Sequence, residues 1–502
     1  MNTSALRVPT EMEVSNNYNN NMSQIENGYG SHQLPTKSIT IDSQMKVTDD
    51  DGHALRSGNL WTASAHVITA VIGSGVLSLA WSMAQLGWIA GPLVLLAFAL
   101  VTYYTSLLLA DCYRSPDSET GKRNYNYIDA VKANLGGINT WFCGVVQYTN
   151  LVGTAIGYTI TASISMVAIG RSDCFHEQGN HALCHISNNP YMALFGAIQL
   201  VLSQIPDFSR ISSLSIIAAV MSFSYSFIGL GLGVHKTIEN GRILGSANGP
   251  SIGDVSQEDK VWQIFQALGN IAFAYTFSNI LIEIQDTLKS PPAEYKTMNK
   301  ATLLGISTTT MFYMSVGCFG YAAFGNDAPG NLLTGFGFYS PFWLVDFANA
   351  CIVVHLVGAY QVYSQPIFAF VEDWASNTWP KNKFLQKEVP VNSLLCGPLP
   401  ISPFRLIWRS FFVIFTVIVA MLLPFFNDIV GLMGAFAFWP LTVYFPVEMY
   451  IAKSKISRWS SKWVALQILN LICLAVSIAA GLGSIAGVIK DLNNYSPFKT
   501  TY

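Results

Sequence analysis

The chain is written as long apolar stretches separated by short polar ones. A membrane-spanning helix needs roughly 20 mostly apolar residues. Eleven such stretches can be marked, near residues 61–84, 88–110, 139–169, 191–206, 211–235, 261–285, 301–323, 341–370, 405–424, 428–450 and 464–489. Hydrocarbon offers no partner to a peptide group, so each stretch must be helical except where it lines a cavity. The pattern therefore predicts an all-α polytopic membrane protein with about 11 transmembrane helices. The third and eighth stretches are long enough to tilt or to emerge from the bilayer. The fourth is short and stops at the polar turn Pro206-Asp207-Phe208-Ser209-Arg210. In the tenth, Pro440 and Pro446 imply a kink. Residues 1–55 hold no apolar run and are rich in Asn, Ser and Asp, which reads as a disordered tail with no cleavable signal. Residues 56–490 read as the transmembrane domain and 491–502 as a short tail.

Composition sharpens this picture. The chain is 51% hydrophobic and 11% charged, against about 25% charged in soluble chains. A net charge of −2 supplies no basic field to attract nucleic acid. If the N-terminus is cytoplasmic, 21 of the 27 Lys and Arg residues fall on the cytoplasmic side. That bias sets the N-terminus inside and, with an odd number of crossings, the C-terminus outside. There is no HExxH, no GxSxG and no pair of intramembrane aspartates, so the pattern points away from an enzyme and implies no cofactor. The eight cysteines include no CxxC. Cys174 and Cys184 stand close together in a polar segment that this topology places outside, where a disulfide is plausible. Free thiols, or a metal site with His176, His181 and His185, are the alternatives.

Two stretches carry polar or flexible residues where a span should be most apolar. The first contains Gly73-Ser74-Gly75. Glycine weakens a helix and clears the way for close approach to the backbone. Unwinding here gives the second half-helix a new N-terminus in mid-membrane, whose free N–H groups and dipole favour an anion such as a carboxylate. The alternative is that the small residues only let a neighbouring helix pack closely. The sixth stretch carries Tyr275-Thr276-Phe277-Ser278, where a break would free carbonyls for an ammonium group. The first and sixth each open a set of five, and interrupted helices at corresponding places in two halves point to a midplane transport site. A free amino acid presents a carboxylate and an ammonium side by side, which matches the two breaks. Gln147 and Asn150 in the third stretch are candidates for added pocket polarity. Tyr148, Tyr158, Phe273, Tyr360 and Tyr363 are candidate aromatic lining or simple packing.

Ionisable groups inside a bilayer are costly and by default functional. His66 lies seven residues before Gly73, and His355 is central in the eighth stretch. Histidine titrates near pH 6.5, which suits it to proton coupling; a neutral structural histidine is the alternative. Glu283 and Asp286 sit toward the inner end of the sixth stretch, where they could gate the exit through Lys289 or Arg210 or stand solvated.

The run from Ser64 to Trp81, followed by Gln85-Leu86-Gly87-Trp88, resembles the plant amino acid permeases of the amino acid/auxin permease family. So do Asn124-Tyr125-Asn126-Tyr127, Gly153-Thr154-Ala155-Ile156-Gly157-Tyr158, Gln204-Ile205-Pro206-Asp207-Phe208, Ile282-Glu283-Ile284-Gln285-Asp286-Thr287 and the stretch from His355 to Tyr363. The resemblance implies a proton-coupled amino acid symporter of broad range in a plant plasma membrane, driven by the proton gradient. It also implies the five-plus-five inverted-repeat (LeuT-like) transporter fold with broken first and sixth helices. In that fold the substrate carboxylate meets Gly73, Ser74 and Gly75, and the ammonium meets Tyr275 to Ser278. Rival readings are an auxin or γ-aminobutyrate carrier of the same family and an amino acid sensor that does not transport.

Overall fold

Helices account for nearly all of the chain that the computed structural model describes, namely residues 49, 51–52, 55–178, 184, 186–205, 212–251, 253, 255–337, 341–386, 389–393 and 397–494. Most of the expected N-terminal tail, the turn at 206–210 and residues 495–502 lie outside the described residues. In chain order the helices are α1 (Leu60–Val71), α2 (Leu79–Asp111), α3 (Tyr127–Asn134), α4 (Gly137–Gln178), α5 (Asn189–Leu202), α6 (Ser212–Glu239), α7 (Gln257–Ala274), α8 (Leu281–Asp286), α9 (Glu294–Phe324), α10 (Phe342–Thr378), α11 (Lys383–Gln386), α12 (Pro403–Leu422), α13 (Phe426–Ala437), α14 (Phe445–Lys453) and α15 (Ser461–Asn494). Two antiparallel hairpins interrupt them: β1 (Arg114–Ser115) with β2 (Lys122–Arg123), and β3 (Val389–Ser393) with β4 (Gly397–Ile401).

Among the described residues, nine helical segments are long and apolar enough to cross a membrane, and the shorter apolar helices α1 and α5 stand beside them. Long side chains such as Leu93, Leu100, Ile216, Phe411 and Leu471 are exposed around the bundle, as expected where lipid is the solvent. Inside, α2 packs on α9, α10 on α4 and α6, and α7 on α13 and α15. Missing side chains permit the closest of these approaches: a Cβ on Gly434 would overlap the Gly269 carbonyl, and one on Gly153 the Met433 sulfur.

The first and second apolar stretches join without a loop. Helix α2 runs through Gly87, which adopts φ 80° and ψ 176°. The bend removes helical partners from the next amides, and the segment between α6 and α7 replaces them. Trp88 N–H donates to the Ser246 carbonyl at 3.1 Å and Ile89 N–H to that of Ala247 at 3.2 Å, while the Trp88 indole donates to Leu244 at 3.0 Å. Only glycine enters this backbone region readily, and the strain for other residues is about 1–3 kcal/mol. A Cβ at position 87 would also overlap the Gly249 amide and the Ala247 carbonyl. Gly87→Ala is therefore expected to lower the thermal unfolding temperature of the detergent-solubilised protein by several degrees; melting together with the parent would contradict this.

In the tenth stretch the kink takes the form of a π-helical segment, Phe438–Tyr444, that contains Pro440 and leads into α14. Tyr127 on α3 braces it by donating its hydroxyl to the Leu441 carbonyl at 2.6 Å.

Candidate functional site

Helix α1 stops at Val71. Ile72 and Gly73 are non-helical, Gly73 being extended at φ −130° and ψ −152°, and a tight 3-10 turn over Ser74–Ser78 leads into α2. Among the described residues, the amides of Ser74 and Gly75 donate to no backbone carbonyl. Helix α7 stops at Ala274, and after Tyr275 to Phe277 a short 3-10 turn, Ser278–Ile280, leads into α8. The first interruption thus leaves amide donors without backbone acceptors inside the bundle, where unsatisfied groups are costly, whereas at the second the Ala272 and Phe273 carbonyls accept from the Tyr275 and Thr276 amides.

The two interruptions touch. A Cβ built on Gly75 would lie 3.0 Å from the Ala274 Cα, 3.3 Å from its Cβ and 3.3 Å from the Phe273 ring. One residue ties them together: Tyr313 on α9, fully buried, donates its hydroxyl to the Val71 carbonyl, with the Ala274 carbonyl 3.3 Å away. Tyr275 is held separately, by a 3.0 Å hydrogen bond from its hydroxyl to Thr310 of α9.

Between the breaks lies a cavity of about 30 Å³, lined by Ala70, Val71, Gly73 to Gly75, Phe273, Ala274, Thr276 and, from α4 and α10, Asn150, Thr154, Tyr158 and Tyr363. Its size is that of about one or two waters, so a larger solute enters only if the walls separate. The donor set suits a carboxylate (the Ser74 and Gly75 amides) and the acceptor set an ammonium (the carbonyls at the end of α7). The Tyr158 and Tyr363 rings meet edge to face, 5.4 Å between centroids, as an aromatic wall. Of the sequence candidates, Gly73, Ser74, Gly75, Asn150 and Thr276 line this cavity, together with the aromatic candidates Tyr158, Phe273 and Tyr363. Gln147, Tyr275, Phe277 and Ser278 are not among its lining residues. Tyr275, Phe277 and Ser278 are buried. Thr154 was not anticipated, although it follows Asn150 by one helical turn on the same face of α4.

The two histidines sit differently. His66 is exposed on α1 and does not line the cavity. His355 is buried on α10, with Nδ1 2.8 Å from the Ala218 carbonyl of α6, an arrangement that puts the neutral ring's proton on Nδ1. Its Nε2 has no hydrogen-bond partner among the described residues, and the ring lies 5.7 Å from that of Tyr225.

The chain before α1 is tied to the residues at the end of α8. Gly58 and Leu288 pair as a parallel bridge, with Gly58 N–H donating to the Thr287 carbonyl at 2.9 Å. Arg56 reaches Asp286 at 2.9 Å, Asp51 at 2.7 Å and Asp49 at 3.2 Å, and Tyr113 donates to the same Asp286 oxygen at 2.6 Å. The ion-pair partner of Asp286 is thus Arg56, 230 residues away in sequence, and not the nearby Lys289, whose amide bonds to Gly58 instead. Arg210 lies outside the described residues. Glu283 is half-buried in a different setting, 3.3 Å from the Tyr127 amide, with its second oxygen unpartnered among the described residues. At the opposite end, Cys174 and Cys184 are joined by a disulfide, Cα atoms 6.0 Å apart. Among the described residues no group of three His, Cys, Asp or Glu could hold a metal; His181 and His185 lie outside them.

The sequence matches the family described as "Transmembrane amino acid transporter protein" over residues 56–490. It is 62% identical to amino acid permease 3 of Arabidopsis thaliana over 91% of this chain and 96% of that protein. To amino acid permease 2 of the same organism it is 61% identical, over 91% and 93% of the two chains. Among solved structures, MhsT in complex with L-phenylalanine superimposes with a TM-score of 0.50 at 11% identity, covering 86% of this chain and 100% of that one. At that identity the likeness concerns the fold alone.

Proposed function

The chain belongs to the transmembrane amino acid transporter family, and from that premise we propose that it is a symporter that imports amino acids of broad range across the plasma membrane with protons, by alternating access. One observation carries the reading: Gly75 and Ala274 sit at van der Waals distance, so the two breaks meet at a single cavity, lined by Gly73 to Gly75 from one and by Phe273, Ala274 and Thr276 from the other. The carboxylate is assigned to Ser74 and Gly75, the ammonium to the carbonyls at the end of α7, and the side chain to the space beside Asn150, Thr154, Tyr158 and Tyr363. The eleven crossings follow the five-plus-five inverted arrangement, with α1 and α2 before Gly87 as the first and α7 with α8 as the sixth. The N-terminus is cytoplasmic and the C-terminus extracellular.

In this reading the Arg56–Asp286 latch closes the cytoplasmic end, and the state described is shut inward. Substrate import requires the latch to release and the breaks to move relative to the α4 and α10 wall. A ligand can drive that change only by binding one state better than the other. Proton coupling is assigned to His66 or His355, and gating to Asp286 with Glu283 beside it. The test is current and labelled uptake in oocytes, with a panel of amino acids at about pH 5.5 and about pH 7.5, a window that brackets histidine titration. Inward current that grows at the lower pH is expected, and its pH dependence is expected to be lost in His66→Ala or His355→Ala protein that still reaches the membrane. Absence of substrate-induced current and uptake would remove the transport reading. Full pH dependence in both variants would remove the histidines from coupling.

A further inference from the structure

A second, larger cavity of about 460 Å³ opens toward the end that carries the Cys174–Cys184 disulfide, and it shares no lining residue with the cavity between the breaks. Its charged and polar lining consists chiefly of Arg171 on α4, Asn188 before α5, Asn331 before α10, Asn427 and Asp428 at the start of α13, and Asp491 on α15. Among the described residues, several of these groups have polar atoms without a hydrogen-bond partner. Asn188 is fully buried, and among the described residues neither its Oδ1 nor its Nδ2 has a hydrogen-bond partner. Asn331 is 4% exposed; its Oδ1 is taken by the Leu333 amide at 3.1 Å, which leaves Nδ2 unpartnered among the described residues, as is the Nε of Arg171. Buried amides are nearly always hydrogen-bonded, so two such amides and a guanidinium nitrogen without partners, all on residues that line one space, mark a place suited to a polar guest.

The opposite wall is acidic. Asp428 is 4% exposed, accepts from Gln266 Nε2 of α7 at 2.6 Å, and lies against Asp491 within side-chain hydrogen-bonding reach. Helix α15 turns Gly487 toward this carboxylate, where any Cβ would overlap Asp428 Oδ1. Asn427 accepts from Asn270 of α7 at 3.0 Å. The titratable groups on this space are thus one guanidinium and two carboxylates. Gln266 and Asn270 lie on the helix that ends at Ala274, so the acidic wall rests on an element of the deeper site.

We propose that this cavity is a separate staging site for amino acids, in which Arg171, Asn188 and Asn331 receive the α-carboxylate and Asp428 with Asp491 receives the ammonium. The proposal rests on the transport reading above and adds a site to it. The site concentrates solute one helix away from the breaks while those are collapsed.

The test is equilibrium binding of radiolabelled L-alanine to the purified full-length protein, read alongside uptake kinetics. The wild type is expected to bind two equivalents. Arg171→Gln and, independently, Asp428→Asn are expected to bind one and to import with a KM raised several-fold. Gly75→Val is expected to retain one equivalent, the staging one. A wild type that imports alanine yet binds a single equivalent overturns the staging site and leaves the transport reading intact. So do two equivalents that both variants keep with unchanged affinity. A wild type that neither binds nor imports any amino acid overturns the transport reading itself.

Discussion

Gly75→Val is expected to abolish amino acid uptake while leaving the amount of protein at the membrane close to that of the parent. The Cβ alone would stand 3.0 Å from the Ala274 backbone and 3.3 Å from the Phe273 ring, and two further methyl groups would fill a cavity of only about 30 Å³. Overpacking of this kind costs about 1–3 kcal/mol, which local shifts can absorb without unfolding the bundle. Binding has no such margin, because the added carbons occupy the place of the carboxylate and shield the Ser74 and Gly75 amides. Loss of those charge-assisted bonds, at about 1.5–3 kcal/mol each, predicts a fall in uptake of a hundredfold or more. Gly73→Ala is the control. Its Cβ meets nothing within 4 Å, so it is expected to fold normally and to raise KM only modestly. Uptake by Gly75→Val at more than a tenth of the parental rate would count against the site.

Glu294→Ala is expected to destabilise the whole protein. Glu294 is fully buried at the start of α9 and binds Arg114 through two bonds, at 3.0 Å and 2.8 Å, with Arg123 at 3.1 Å from the same carboxylate. Both arginines belong to the small hairpin of β1 and β2 and are themselves buried. Removing the carboxylate leaves two guanidinium groups in a low-dielectric setting with less compensation, and breaking a buried pair from one side costs about 3–5 kcal/mol. Thermal unfolding in detergent should show a large downward shift, and Glu294→Gln, which keeps hydrogen-bonding atoms but not the charge, should fall between. A Glu294→Ala protein that melts with the parent would contradict the assignment.

How much of this was legible beforehand differs from residue to residue. Gly73-Ser74-Gly75 and Tyr275 to Ser278 stood out because a span rarely spends mid-membrane positions on glycine and hydroxyl residues, and α1 and α7 stop at those places. Asn150, Thr154 and Tyr158 recur every four residues, a helical-face signal that was available in full though only two of the three were marked. Tyr313 was not legible. A tyrosine in an apolar helix looks like packing, and its register against the Val71 and Ala274 carbonyls exists only once α9 is docked. The Arg56 partner of Asp286 was not legible either: the sequence offered Lys289 or Arg210, whereas Arg56 arrives through the chain path before α1. The bend at Gly87 required knowledge of the Ser246–Ala247 segment that repairs its amides. Local chemistry could be read along the chain, but partners brought together by tertiary packing could not.

The most direct test of the paired breaks is an engineered cross-link, Gly75→Cys together with Ala274→Cys. The Cβ positions are 3.3 Å apart, close to the roughly 3.5–4.5 Å that a disulfide spans. Mild oxidation of the double variant in membranes, followed by peptide mass mapping, should yield peptides joined through positions 75 and 274, and added amino acid should slow their formation by parting the walls. Failure of the two thiols to join under oxidation, or joining at a rate indifferent to every amino acid that the parent imports, would contradict the account.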